Sequence, residues 1–205
     1  MTHPTSIVII TGSPVQPSRT SGLALLVEQR LLRESFRVRV LHVRDLPPEA
    51  LFHANFEDPS LKEATGWVAQ ADGVIAVSPV YKAAYTGTFK TFIDMLPQFA
   101  LRDKVVLPLL VGGSLAHVLA IDYAVRPMLQ SLDPRLIVNG LFLLDKTIDV
   151  SQGAVTLAPD VEQRLEQVIQ GFIAGLRAHG PVLPSLAPAG ANALSSVWPD
   201  SVCCA

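Results

Sequence analysis

Three segments of the chain gather residue types suited to holding a small polar ligand. The first, Gly12-Ser13-Pro14-Val15-Gln16-Pro17-Ser18-Arg19-Thr20-Ser21-Gly22, lies between an apolar run and a helical pattern. The amides at the start of that helix point back at the segment and favour an anion there. Hydroxyls of Ser13, Ser18, Thr20 and Ser21 and the guanidinium of Arg19 can add hydrogen bonds to the oxygens of a phosphate monoester. Plain helix capping also explains Ser and Thr at such a place, but the density of donors favours the anion. No lysine follows in the pattern of a triphosphate loop, and the glycine spacing of a dinucleotide loop is missing.

The second segment, Ser78-Pro79-Val80-Tyr81-Lys82-Ala83-Ala84-Tyr85-Thr86-Gly87, sets two tyrosines and a lysine between Pro and Gly. Rigid prolyl and aromatic surfaces suit a flat ring, with backbone amides meeting its polar edge. Taken alone, Tyr81 and Tyr85 read rather as packing residues and Lys82 as a solvated charge. The third, Gly112-Gly113-Ser114-Leu115-Ala116-His117, lets backbone approach a ligand closely and offers donors to negative charge on a reduced ring. A tight turn feeding a helix accounts for the same glycines.

Other chemistries lack their residues. Gly113-Ser114 has no glycine two residues after the serine, as a nucleophile elbow requires. The five histidines are scattered without metal-ligand spacing, so no metal is expected. A phosphoacceptor domain would want acidic residues where this chain has Thr11 and Ser78.

These segments need a frame. Short β-branched runs at Ser6 to Thr11, Phe36 to Val43, Gly73 to Ser78, Lys104 to Val111 and Leu136 to Leu144 alternate with amphipathic stretches. That alternation predicts a parallel sheet covered by helices. The first, third and fourth runs are nearly all apolar, which places them centrally; the second alternates like an edge strand. Leu23, Leu26, Val27 and Leu31 share one helical face, as do Phe89, Phe92, Ile93 and Leu96. A last helix begins at Pro159-Asp160, carries Val161, Leu165, Val168, Phe172 and Leu176 in a stripe, and stops at Gly180-Pro181. The expectation is an α/β fold of the flavodoxin-like, doubly wound kind, with five parallel strands in the order 2-1-3-4-5 and helices on both faces. Ligands of such sheets sit beyond the carboxyl ends of the strands, where all three segments fall.

The chain has 205 residues, of which 49% are hydrophobic, and a formal charge of −2. That is enough apolar surface for one globular domain and too little net charge for bulk attraction to nucleic acid or anionic lipid. No run approaches the roughly 18 apolar residues of a membrane span. With its two cysteines adjacent at Cys203 and Cys204 and no leader-like start, a cytoplasmic protein is expected. Residues 1–180 read as the domain, and residues 181–205, rich in Pro and Ala, as a mobile tail or an arm on a partner subunit.

Together GSPVQPSRTSG, SPVYKAAYTGTFKTFIDMLP and VLPLLVGGSLAHVLAIDYAVRPMLQSL resemble the NAD(P)H-dependent FMN reductases of the flavodoxin-like superfamily, most nearly the alkanesulfonate-utilisation type. LFHANFEDPSLK, residues 51–62, is similar to the same group. The resemblance implies that Ser13, Ser18, Arg19 and Thr20 hold the FMN phosphate. It implies that Pro79, Val80, Tyr81 and Lys82 line the isoalloxazine, with Gly112, Gly113 and Ser114 at its pyrimidine edge. It further implies hydride transfer from NADPH to flavin N5 with no catalytic side chain. FMN would act as a weakly bound substrate feeding a separate FMNH2-dependent monooxygenase, and the protein would be a homo-oligomer, dimer or tetramer. The competing readings are an FMN-binding electron carrier and a quinone or azo reductase that retains its flavin.

One element is arguable from the residues alone. Pro127 lies within the apolar pattern Val118, Ile121, Val125, Met128 and Leu132, where it lacks a donor and crowds the carbonyl of Tyr123. A widening or kink is therefore expected between Ala120 and Pro127. The resemblance implies more, a π-helix tyrosine, Tyr123, at a subunit interface beside the flavin.

Overall fold

Aliphatic runs without polar alternation end up where a sheet is covered on both faces. In the computed structural model, which describes residues 4–151 and 155–179, β1 (Ser6–Thr11), β3 (Gly73–Pro79) and β4 (Val105–Gly112) are such runs, with almost every side chain buried. The expected stop at Gly180-Pro181, the tail over residues 181–205 and Cys203 and Cys204 lie outside the described residues. β2 (Arg37–His42) pairs only with β1 and alternates exposed Arg37 and Arg39 with half-buried Val38 and Val40. β5 (Leu136–Ile137) and β6 (Leu141–Leu144) both lie beside β4, giving the order 2-1-3-4-5 with every pairing parallel.

Helices clothe both faces. α1 (Arg19–Arg33) and α6 (Pro159–His179) bring Leu23, Val27, Leu31, Leu165, Ile169 and Phe172 onto Ile7, Ile9, Ile75 and Leu107. On the other face α3 (Pro59–Gln70), α4 (Gly87–Ile93) and α5 (Arg126–Gln130), with the short α2 (Pro48–Phe52), pack Ala50, Leu61, Phe89, Phe92 and Leu129 against Val8, Ile10, Val74 and Val106. α2 and α3 fill the segment between β2 and β3, which periodicity had left without an element. Asp58 caps α3, and Pro59 stands in its first turn, the usual start of a helix.

The strand expected over Leu136 to Leu144 is two strands. Pro108, inside β4, has no N–H to give the neighbouring ladder. The register moves from Val106 opposite Ile137 to Leu109 opposite Leu141, so Val138, Asn139 and Gly140 face Leu107 and Pro108 and one residue bulges out. At Gly140 a Cβ would fall 2.6 Å from the Pro108 carbonyl oxygen, so only glycine passes. Arg126 donates to the carbonyls of Ile137 (3.3 Å) and Val138 (3.0 Å) beside this break.

The apolar pattern from Val118 to Leu132 is likewise divided. A 3-10 turn covers Leu115–His117, a π-helix covers Ile121–Val125, and α5 follows. The Arg126 amide reaches back five residues to the Ile121 carbonyl, because Pro127 cannot donate and the next turn must widen to clear its ring. Two strands without a sequence signal, β7 (Ile148–Asp149) and β8 (Thr156–Leu157), form an antiparallel pair after β6. Among the described residues no helix is long and apolar enough to cross a membrane.

Candidate functional site

The carboxyl ends of β1, β3 and β4 release their loops side by side. Gly12 leaves β1 with its amide on the Val77 carbonyl (2.9 Å), and its own carbonyl accepts from Thr86 Oγ1 (2.6 Å). Thr86 also accepts from the Phe89 amide, so one buried hydroxyl both starts α4 and ties the first loop to it. The loop then runs to Ser18, the N-cap of α1, which accepts from the Ser21 amide at 3.0 Å. The capping role weighed for these hydroxyls is thus real for Ser18. It leaves the amides of Arg19 and Thr20 to face an anion, with Ser13 and Thr20 buried beside them. Arg19 is half exposed; its Nε donates to the Ile148 carbonyl (3.1 Å) and Nη1 stands 4.0 Å from Asp145 Oδ2.

After β3 the chain makes a two-residue turn. Tyr81 and Ala84 exchange amide-to-carbonyl bonds of 2.9 and 3.2 Å, and Lys82 and Ala83 between them sit at φ 50° and 67°. This primed turn is normally built from Gly or Asn, so two side-chain-bearing residues here hold strained backbone. The Tyr123 hydroxyl, projecting from the π-helix, donates to the Ala83 carbonyl at 2.5 Å and braces the turn. The Val80 amide extends the ladder to Val111 (2.8 Å), and the Thr86 amide bonds Ser78 Oγ (3.1 Å). The amides of Val80, Tyr81, Ala84 and Thr86 are thus engaged within the protein, and Pro79 and Val80 offer apolar surface beside them.

The third loop closes the space. At Gly112 a Cβ would lie 2.7 Å from the tip of the Phe142 ring, so a side chain there would have to displace that ring. Gly113 is different: its nearest neighbour would be Asp145 Oδ2 at 3.8 Å, so the missing side chain there leaves room in the cleft. Gly113→Ala should leave thermal stability within about 0.5 kcal/mol and weaken the binding of a flat ligand a few-fold, readable from melting curves and ligand titrations on one preparation.

The three loops enclose an open cleft of 270 Å³ lined by Ser13, Ser18, Arg19, Thr20, Pro79, Val80, Tyr81, Gly112 and Gly113. Lys82 and Ser114 do not line it. Lys82 sits in the tip of the turn, fully outside, and Ser114 caps the 3-10 turn by accepting from the Ala116 amide (3.2 Å). Val15, Pro17, Val111 and Asp145 also form the wall and were not singled out from sequence. Asp145 follows β6, and nothing in its neighbours marks it as facing Arg19.

One cleft thus brings hydroxyls, the amides at the start of α1 and Arg19 together with the apolar surfaces of Pro79 and Val80 and the open space at Gly113. A family model described as NADPH-dependent FMN reductase matches residues 5–149. The chain belongs to the NADPH-dependent FMN reductase family. Among relatives of this reductase family, the FMN reductase (NADPH) of Escherichia coli K12 is 37% identical over 91% of this chain and 98% of its own length. That of Pseudomonas putida KT2440 is 39% identical over 88% and 93%. A solved apo NADH:FMN oxidoreductase, EmoB, superposes with TM-score 0.77 at 42% identity, covering 84% of this chain and 90% of that one.

His42, at the end of β2, is half-buried. Its Nδ1 lies 2.9 Å from Thr11 Oγ1. Burial holds its pKa below the ordinary value of 6.5, and the Arg44 charge pushes the same way, against a smaller pull from Asp45. Below pH 6.5 the unfolded chain therefore takes up this proton before the folded one, and stability falls as pH falls through that window. His42→Asn should flatten the loss, measured by urea unfolding at pH 5.0, 6.0 and 7.5.

Proposed function

We propose that the cleft binds FMN and that the protein catalyses reduction of FMN to FMNH2 by NADPH. The observation that carries this is the meeting of a phosphate-type donor set at the start of α1 with a flat apolar wall at Pro79, Val80 and Gly113 in one cleft. The names of the two relatives quoted with NADPH support that nucleotide.

Bound flavin supplies the hydride-accepting N5 and the nicotinamide its C4 hydride; the protein need contribute no acid or base to that step. The residues do the rest. Ser18, Arg19 and the first amides of α1 anchor the phosphate, which fixes the depth at which the ring lies. Pro79, Val80 and Tyr81 support one ring face, and Gly113 keeps the opposing wall low. Holding both rings in contact supplies the ordering that hydride transfer requires.

Free exchange of flavin fits the shallow phosphate end, where Arg19 is half exposed and shares its charge with Asp145. Reduced flavin would then serve an FMNH2-dependent monooxygenase in the cytoplasm. Exposed Leu115, Val118, Leu119 and Tyr123 form an apolar strip around the π-helix that supports a homo-oligomeric assembly. The test is NADPH oxidation by protein freed of flavin on gel filtration. Turnover should be restored in proportion to added FMN until saturation. Flavin that survives filtration, with no response to added FMN, would mark a carrier or a retained-flavin reductase instead.

A further inference from the structure

A buried arginine stands behind the phosphate loop without lining the cleft. Arg44 comes from the 3-10 turn Val43–Asp45 after β2, and only 11% of its side chain is exposed. Its Nη1 donates to the carbonyls of Ser13 (3.4 Å) and Val15 (3.2 Å) and to Ser21 Oγ (2.9 Å). Its Nη2 donates to Gln16 Oε1 (3.3 Å), and Nε lies 3.5 Å from Asp45 Oδ1. One guanidinium thus gathers oxygens from along the loop, a task for a planar fork of donors that a point charge performs poorly.

We propose that Arg44 is the positioning residue that makes this cleft select a phosphorylated flavin over riboflavin. The inference rests on the FMN reading above. Ser18 Oγ accepts from the Ser21 amide and donates to Ser21 Oγ at 2.9 Å. Arg44 has donors only, and the shortest of its Nη1 contacts, at 2.9 Å, occupies an acceptor site of Ser21 Oγ. When a phosphate oxygen accepts the hydrogen bond of the Ser18 hydroxyl, Ser21 Oγ, still held by Nη1, turns its own O–H to donate to Ser18 Oγ. Ser18 then accepts twice and donates once, outward. The pair always has one hydroxyl proton for the anion, and Arg44 keeps Ser21 where it can supply the return bond. The same guanidinium adds positive charge behind the loop, partly offset by Asp45.

The experiment measures the Kd of FMN and of riboflavin by flavin fluorescence, with melting curves, for wild type, Arg44→Met, Arg44→Lys and Ser21→Ala. Wild type should prefer FMN. Arg44→Met should weaken FMN about tenfold or more, the scale of a lost charge-assisted bond, while riboflavin stays within about twofold. Arg44→Lys should fall between them. Ser21→Ala should narrow the FMN preference, and adding Arg44→Met to it should lose less than the two single effects combined. Equal weakening of both flavins by Arg44→Met, or none, overturns the proposal and leaves the FMN site standing. If Arg44→Met does not fold, Ser21→Ala decides alone, and an unchanged FMN-to-riboflavin ratio is the overturning result. A wild type that binds both flavins equally overturns the phosphate assignment itself.

Discussion

Gly12→Ala should destabilise the protein by about 3 kcal/mol, the upper end of overpacking penalties, and lower its melting temperature by roughly 6–12 °C for a domain of this size. The added Cβ would stand 2.4 Å from Phe89 Cβ and 3.0 Å from two further atoms of that side chain. Rotation cannot relieve the contact, since Phe89 Cβ is fixed to the backbone of α4 and Phe89 is only 1% exposed. Nor can Gly12 retreat, being held on one side by Val77 and on the other by Thr86. Gly66→Ala is the control. It lies in α3 with nothing within 4 Å of its Cβ, and should gain about 0.5–1 kcal/mol from helix propensity and a less free unfolded chain. Equal effects of the two substitutions in urea unfolding would mean that the first loop yields easily, and the rigid anchor assumed for it would be wrong.

Arg19→Ala should weaken FMN about tenfold while melting within about 2 °C of wild type. The side chain is half exposed and the Asp145 pairing at 4.0 Å is long and screened, so little folding stability rides on it. Its charge serves the ligand phosphate, and the loss should shrink as salt is raised from 50 to 500 mM. Asp145→Asn should act in the opposite direction, tightening FMN by removing a competing carboxylate from the same wall. Unchanged FMN affinity in Arg19→Ala would remove the arginine from the phosphate site.

The parts of the fold read best from sequence were those set by local pattern. Ser6 to Thr11 has no polar residue within its apolar stretch, and its strand has those bounds. Pro159 and the stripe through Leu176 likewise marked α6. The broken strand was illegible because its cause lies across the sheet: Leu136 to Leu144 looks continuous until Pro108 is placed opposite Gly140. In the site, hydroxyl density and paired glycines announced the loops, and Pro127 announced the widened turn. Arg44 gave no signal, since an arginine after an edge strand reads as solvated, and its partners are backbone carbonyls far away in the chain. Lys82 is next in sequence to wall residues, but its φ of 50° sets it in the tip of the turn, a placement that depends on backbone geometry the residue type does not announce.

The two borders of the sheet differ in how they meet an incoming strand. On one side Arg37 and Arg39 stand exposed along β2, with Arg39 lying over the Trp67 ring at 5.3 Å, so a second strand docking there would have to accommodate two guanidinium groups. On the other, the border is divided between β5, two residues long, and β6, four residues long, and Arg126 takes the carbonyls of Ile137 and Val138 where the two meet. Edge-to-edge polymerisation, the ordinary hazard of an open parallel sheet, is thereby opposed along β2 by charge and along β5 by its shortness.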